Sequence, residues 1–505
     1  MDKKNAVLVA VAAAVITASQ PGRSLASEPQ VPAPPAPPAF NLQPYLDPTG
    51  AVATYNVNGR IDPRNAFFQS LGTNGRSCGT CHVASQALSI SPPFIRERFL
   101  RTNGRDPLFA PVDGANCSNA TRSDPAAHSL LLTHGLIRVA QTIPASAQFT
   151  ISVVHDPYGC ALVSDPKTGQ LVASVYRRPL PSTNLSVLSA VMWDGRETVA
   201  PLTTGATFLA NLRTNLTHQA VDATLGHAEA AVTPTSQQLA QIVDLEVGLY
   251  TAQTWDFAAG DLDDDGAKGG PWRLSNQLYY PGINDSLGAD PTGTAFTSAS
   301  MSMFNAWRTP SAASLHYQRE RTAARQDVAA GEQLFNTQPI RITAVRGLND
   351  NAALGTPAVI TGTCTTCHDA PNVGHHSLPL PLDIGVGHTK VAALENDSQI
   401  SDALAELNAP NLPVFEISGC ATPFSHGEPV SFYTTDPGKG LITGLCSDLN
   451  RLKGPVLRAL AARAPYFHNG GAATLLQAVN FYDQRFDMKL TQEQKRQLVA
   501  FLHSL

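Results

Sequence analysis

The sequence predicts a mainly α-helical protein of two domains with long loops. Three observations carry that prediction. One five-residue cysteine motif occurs twice, at 78–82 and 364–368, in a chain of 505 residues, long enough for more than one domain. Helical periodicity closes the chain, where Thr491 and Gln494 form a capping box ahead of apolar Leu498, Val499, Phe501, Leu502 and Leu505. The 38 prolines and 37 glycines exceed what a helical bundle carries, so long loops are expected between the helices.

Composition narrows the function classes. Hydrophobic residues make up 43% and charged residues 15%, the balance of a folded globular chain and not of a disordered one. The formal charge is -5 and no long basic run follows the first residues, which excludes nucleic acid as the expected partner.

The N-terminus reads as an export signal. Lys3 and Lys4 precede an apolar run from Ala6 to Ala18, and Ser24-Leu25-Ala26 places small residues at a cleavage site. Residues 1–26 are therefore expected to be removed. A Pro-rich linker over 27–45 follows, too stiff and apolar-poor to build a core. No later apolar run approaches the ~18 residues of a membrane span. The mature protein is expected in the periplasm, with no membrane span.

Four of the eight cysteines supply the cofactor. Cys78-Gly79-Thr80-Cys81-His82 and Cys364-Thr365-Thr366-Cys367-His368 are both C-x-x-C-H, the attachment signature of c-type haem. Two thiols three positions apart on one turn reach the two vinyl groups of a porphyrin, and the adjacent histidine turns its nitrogen to the iron. Two covalently bound haem c groups are expected. The fold class is then mainly α, built of two cytochrome c-type haem domains with long loops.

The boundaries follow from the helices. A break near Glu320 to Gln326 precedes Asp327 to Phe335, which reads as the amphipathic first helix of a cytochrome c domain; Phe67 and Phe68 begin a comparable segment before the first motif. The N-terminal haem domain is expected over 46–320 and the C-terminal one over 321–505. Cys117, Cys160, Cys420 and Cys446 remain, and an even remainder in an oxidising compartment suggests disulfides. Of three pairings, Cys117–Cys160 with Cys420–Cys446 is the economical one. Asp261 to Gly266 copies the opening of a calcium loop, but Trp272 stands where a bidentate glutamate belongs, so a solvated acidic loop is expected.

Two C-x-x-C-H domains, Met192-Trp193-Asp194-Gly195-Arg196 and Ala464-Pro465-Tyr466-Phe467-His468-Asn469-Gly470 together resemble the bacterial di-haem cytochrome c peroxidase and MauG superfamily. The resemblance implies a peroxidatic N-terminal haem and an electron-transferring C-terminal haem, with Trp193 as relay between them. It places Gln219, in the Leu216-Thr217-His218-Gln219-Ala220 stretch, beside an iron-bound oxygen species. It places Glu229 as the carboxylate that moves a proton between the peroxide oxygens, with His227 as the alternative acid–base group. No histidine occurs from Val83 to Arg105, where members needing reductive activation close the iron; His128, His134 and His155 come later. An open first iron is therefore expected. For the second iron the resemblance implies Tyr482 as distal ligand, with Met488 and His375 or His376 as rivals. The superfamily's calcium is doubtful, because Arg178 and Arg463 correspond to two of its ligand positions.

The expected function is an exported oxidoreductase that reduces hydrogen peroxide with electrons from a small cytochrome or cupredoxin. The alternatives are MauG-like oxidation of a protein substrate, a haem-dependent oxygenase using Pro92-Pro93-Phe94-Ile95 to line an apolar pocket, and a plain electron-transfer cytochrome.

Overall fold

Short runs of β-branched residues, such as Thr150–His155 and Leu171–Arg177, form strands where the sequence was expected to loop. The computed structural model describes residues 41–203, 205–309, 319–389, 398–421 and 429–505. The expected export signal and residues 27–40 of the linker lie outside them. The remaining end of that linker, at Pro44–Leu46, is a strand.

The expected mainly α class is corrected to a mixed α/β one, with 34% helix and 16% strand. Four antiparallel sheets form among the described residues. In one, Gly50–Asn56 lies between Pro44–Leu46 and Leu249–Asp256, which pairs on its far side with Gly260–Asp261. In a second, Val414–Ala421 pairs with Pro429–Thr434 and with Thr150–His155, more than 250 positions earlier. The others join Ile137–Thr142 and Leu162–Ser164 to Leu171–Arg177, and Ile340–Ile342 to Ile360–Gly362. The strands escaped notice because most are three to eight residues long, too short to carry much period-2 signal.

The helical expectations fare better. The closing helix runs Gln492–His503, and both halves of its Thr491/Gln494 capping box are made. The Asp327 to Phe335 stretch lies within a longer helix, Arg319–Thr337. These two helices touch so closely at Gly331 that an added Cβ would stand 2.0 Å from the Gln497 carbonyl. Around them Trp307, Phe304, Phe335 and Phe501 build the largest core cluster. Among the described residues no helix is long and apolar enough to cross a membrane.

Both expected disulfides are formed. Cys117 and Cys160 have Cα atoms 6.0 Å apart, and Cys420 and Cys446 5.6 Å. The acidic loop is neutralised by side chains: Asp264 and Asp265 pair with Arg325, and Asp263 with Arg273.

Two candidate haem cavities

Each C-x-x-C-H motif is a single tight turn closed in the same way. Ser77 N–H donates to Thr80 Oγ1 and Thr363 N–H to Thr366 Oγ1, both at 3.0 Å. The turns bring His82 N–H to the Cys78 carbonyl at 3.0 Å and His368 N–H to that of Cys364 at 3.1 Å. Each imidazole then donates Nδ1–H to a carbonyl, His82 to Leu88 at 3.0 Å and His368 to Gly374 at 2.7 Å. A carbonyl only accepts, so the tautomer is fixed and Nε2 keeps its lone pair for a metal. Burial holds both imidazoles down to about 4, neutral and ready to ligate. An aromatic ring stands against each: Phe67 at 6.2 Å from His82, Phe335 at 5.8 Å from His368.

The three motif side chains face a cavity in each case, of about 1390 Å³ for the first and about 1550 Å³ for the second, counting the open mouths. Two half-buried thiols and one neutral imidazole on the wall of a large apolar cavity are the donor set of a c-type haem. The residues fit that group at both places.

The first cavity is walled by the Phe208–Gly226 helix, which contributes Gln219, Ala220, Ala223 and Thr224, and by His227 at that helix's C-cap. His227 Nδ1 contacts the carboxylate of Asp113, which also takes the Arg76 guanidinium. Arg76 is itself fixed by the carbonyls of Pro107 at 2.8 Å, Leu108 at 2.6 Å and His227 at 3.1 Å. Burial alone would raise the Asp113 carboxyl; His227 and Arg76 outweigh it and hold the group below the usual carboxylate range. His227 is near enough to His82 to depress its protonation further.

Glu229 stands apart from this wall. It is exposed, and its carboxylate accepts from Asn74 Nδ2 at 2.9 Å. A different carboxyl lines the cavity: Glu246 of the Ser236–Gly248 helix, 3% exposed, with Oε2 lacking a partner. Burial pushes it up to about 8, so it is largely protonated at neutral pH. Asp113, Arg76 and Glu246 escaped the sequence reading; an acidic residue inside the apolar helical stretch around Ile242 and Leu245 was the one available signal.

The later histidines do not line the first cavity. His128 has Nδ1 on the Gly114 carbonyl at 2.6 Å and Nε2 on that of Arg122 at 3.1 Å; His134 meets the Gly470 carbonyl, and His155 bonds Asn411 at the surface. Pro92 begins the Pro92–Thr102 helix, and Phe94 and Ile95 pack into a core cluster instead of lining the cavity.

The second cavity gathers more candidate iron ligands. Tyr482, Met488 and His376 all line it, and so does His468, which the sequence reading had not singled out. His468 is 5% exposed with Nε2 unpartnered, held neutral at about 4 by burial. Burial raises the Tyr482 phenol, favouring its neutral form. His376 accepts the Leu378 N–H on Nδ1 at 3.2 Å and turns Nε2 towards Asp369 at 3.3 Å. His375 lies outside the lining, its Nε2 3.3 Å from the Tyr279 hydroxyl.

The W-D-G-R segment joins the two cavities. Met192 lines the first and Trp193 the second; Lys453 and Pro455 line both. The Trp193 indole donates to the Arg178 carbonyl at 2.8 Å and its ring lies 6.3 Å from that of His468. Behind it, Arg177 clamps Asp436 at 2.6 and 2.8 Å and also pairs with Asp194, while Asp436 lies 3.8 Å from His468. Arg178 and Arg463 are adjacent: Arg178 Nη2 donates to the Arg463 carbonyl at 3.4 Å, and burial first, then Arg463, lowers the Arg178 guanidinium to about 10. Two such cations repel a calcium ion.

Covalent attachment of c-type haem is the chemistry that these motif side chains and cavities fit. Among known proteins, the chain is 40% identical over 78 residues to a cytochrome-c peroxidase of Denitromonas iodatirespirans, covering 14% of this chain and 21% of that protein. It is 38% identical over 77 residues to a cytochrome c551 peroxidase of Nitrosomonas europaea, covering 15% of this chain and 23% of that one. The matches thus span under a quarter of those relatives. No family model matches the chain. A hydrazine synthase chain of Kuenenia stuttgartiensis superposes over 66% of this chain and 73% of its own at 13% identity, with a TM-score of 0.29, too loose to carry an argument.

Proposed function

We propose that the chain is an exported di-haem oxidoreductase that reduces hydrogen peroxide in the cavity of Cys78, Cys81 and His82. The carrying observation is the His227–Asp113 pair in the wall of that cavity: a histidine oriented by a buried carboxylate is the arrangement of a general acid–base group. When bound there, haem supplies the redox-active iron that takes up peroxide and the electrons for its reduction.

His227 takes a proton from one peroxide oxygen and returns it to the departing one, and Asp113 stabilises the imidazolium between the two transfers. Gln219 hydrogen-bonds the bound peroxide. Two electrons and two protons then convert one peroxide to two waters. Trp193, on the wall of the second cavity next to Met192 on the wall of the first, would relay electrons between the cavities, and Cys364, Cys367 and His368 would hold the haem that supplies them. A small cytochrome or cupredoxin donates them, and periplasmic export suits such a donor. The similarity to two proteins named cytochrome c peroxidases supports this reading.

Tyr482 in the second cavity favours a second reading, in which the electrons come from residues of a partner protein, because a phenolate ligand stabilises ferric and higher-valent iron. Stopped-flow assay of peroxide consumption by the holoprotein, with a reduced cytochrome or cupredoxin as donor, tests the first reading. Turnover that falls sharply in H227A supports it, and peroxide consumption at the same rate in H227A contradicts it.

A further inference from the structure

Among the described residues, the two cavity walls share one cation, Lys453, with no carboxylate paired to it. Lys453 lines both cavities and is 9% exposed. Its ammonium donates to the Ala190 carbonyl at 2.9 Å, and its backbone N–H donates to the Trp193 carbonyl at 2.8 Å. Of the other ionisable groups of the described walls, Glu246 has an unpartnered Oε2 but is kept protonated by burial, and the charged ones have partners of their own. Arg76 is paired with Asp113 in the first cavity, and Asp383 with His388 at 2.9 Å in the second. A buried ammonium held by one neutral carbonyl is costly, and buried charges in proteins are paired. The deficit lies in the wall common to the two cavities, where a haem bound in either would bring two carboxylates.

We infer that Lys453 is a shared anchor for haem carboxylates, its ammonium pairing with a propionate of each haem across the wall between the cavities. This rests on the two-haem reading of the site. The pairing has two consequences. It fixes the edges of the two macrocycles next to Met192 and Trp193, the segment between them. It also places one positive charge near both irons, where it disfavours the ferric state of each and raises both reduction potentials. Without an anion, burial brings the ammonium down to about 7; a propionate beside it restores the charged form.

The test compares holoprotein K453M, which removes the charge at similar volume, with K453R, which keeps it. Haem content by the pyridine haemochrome assay is measured first, then spectroelectrochemical midpoint potentials of both haems. The inference expects two haems in each variant, lower potentials for both haems in K453M, and potentials near those of the unsubstituted protein in K453R. Should K453M fail to load both haems while K453R loads them, the charge is required for assembly and the inference stands. Unchanged potentials in K453M, or a loss in K453R as large as in K453M, overturn it. Fewer than two haems in the unsubstituted protein overturns the di-haem reading instead, so the two failures are told apart.

Discussion

The two cavities are attached to matching turns and are both mainly apolar, but they differ in their aromatic and polar side chains. The first has no Phe, Tyr or Trp among its described lining residues; its polar wall offers His227 on Asp113, Gln219 and the protonated carboxyl of Glu246. The second is ringed by Trp193, Phe335, Tyr466, Phe467, Tyr482 and Phe486 and offers several side chains that could close an iron. On the proposed function, one attachment motif serves two ends. A wall with proton carriers and no easily oxidised ring suits bond cleavage, and an aromatic wall with a ligand in reach suits holding and passing electrons.

The largest expected effect comes from removing one attachment site at a time. C78A/C81A loses one haem by the pyridine haemochrome assay and all peroxide turnover. C364A/C367A also loses one haem and all donor-dependent turnover, while added peroxide still perturbs the spectrum of the remaining haem. If both double variants behaved alike towards peroxide, the cavities would not have separate roles.

Next in size is the proton carrier. H227A is expected to lower kcat/KM for peroxide by roughly 10²–10⁴-fold. D113N follows with a smaller fall, since the imidazole stays in place while it and Arg76 lose their carboxylate partner, and E229Q leaves the rate unchanged within assay error because Glu229 is exposed. A collapse in E229Q with full activity in H227A would reverse the assignment.

A smaller change separates the ligands of the second cavity. Of Y482F, M488L, H468Q and H376Q, one is expected to alter the low-spin ferric spectrum of the second haem and leave the first haem's signal in place. Tyr482 is the favoured candidate, because Nε2 of His376 is already turned to Asp369.

The smallest effect is on stability. The Glu246 carboxyl sits at about 8 when folded against 4.5 ordinarily, so the folded state binds the extra proton. Between those values the unfolded chain holds fewer protons, and stability falls as pH rises through the window. E246Q should match the unsubstituted protein below pH 4.5 and melt at higher temperature than it above pH 8. Equal melting temperatures across that range would place Glu246 outside the dry part of the first cavity.

How far the sequence went can be judged from particular residues. Local chemistry was legible: both C-x-x-C-H turns, the Thr491 capping box, the two disulfides and the kinship of Phe67 with Phe335 all depend on neighbours or simple parity. Long-range partners were not. Asp113 acquires meaning only beside His227, 114 positions later, and Thr150–His155 becomes a strand only against Val414–Ala421. Gln219, Trp193 and Tyr482 were named from a resemblance, His227 from its place two residues before Glu229, and all four line a cavity. Glu229 was named from the same resemblance by counting ten residues on from Gln219, and that offset does not carry past the helix end, where its φ of +52° turns the chain away.

The central claim is that the first iron is open and the second closed. EPR and electronic spectra of the purified, fully oxidised holoprotein test it most directly. The account predicts one high-spin and one low-spin ferric haem, with the high-spin signal lost in C78A/C81A. Two low-spin haems would contradict it.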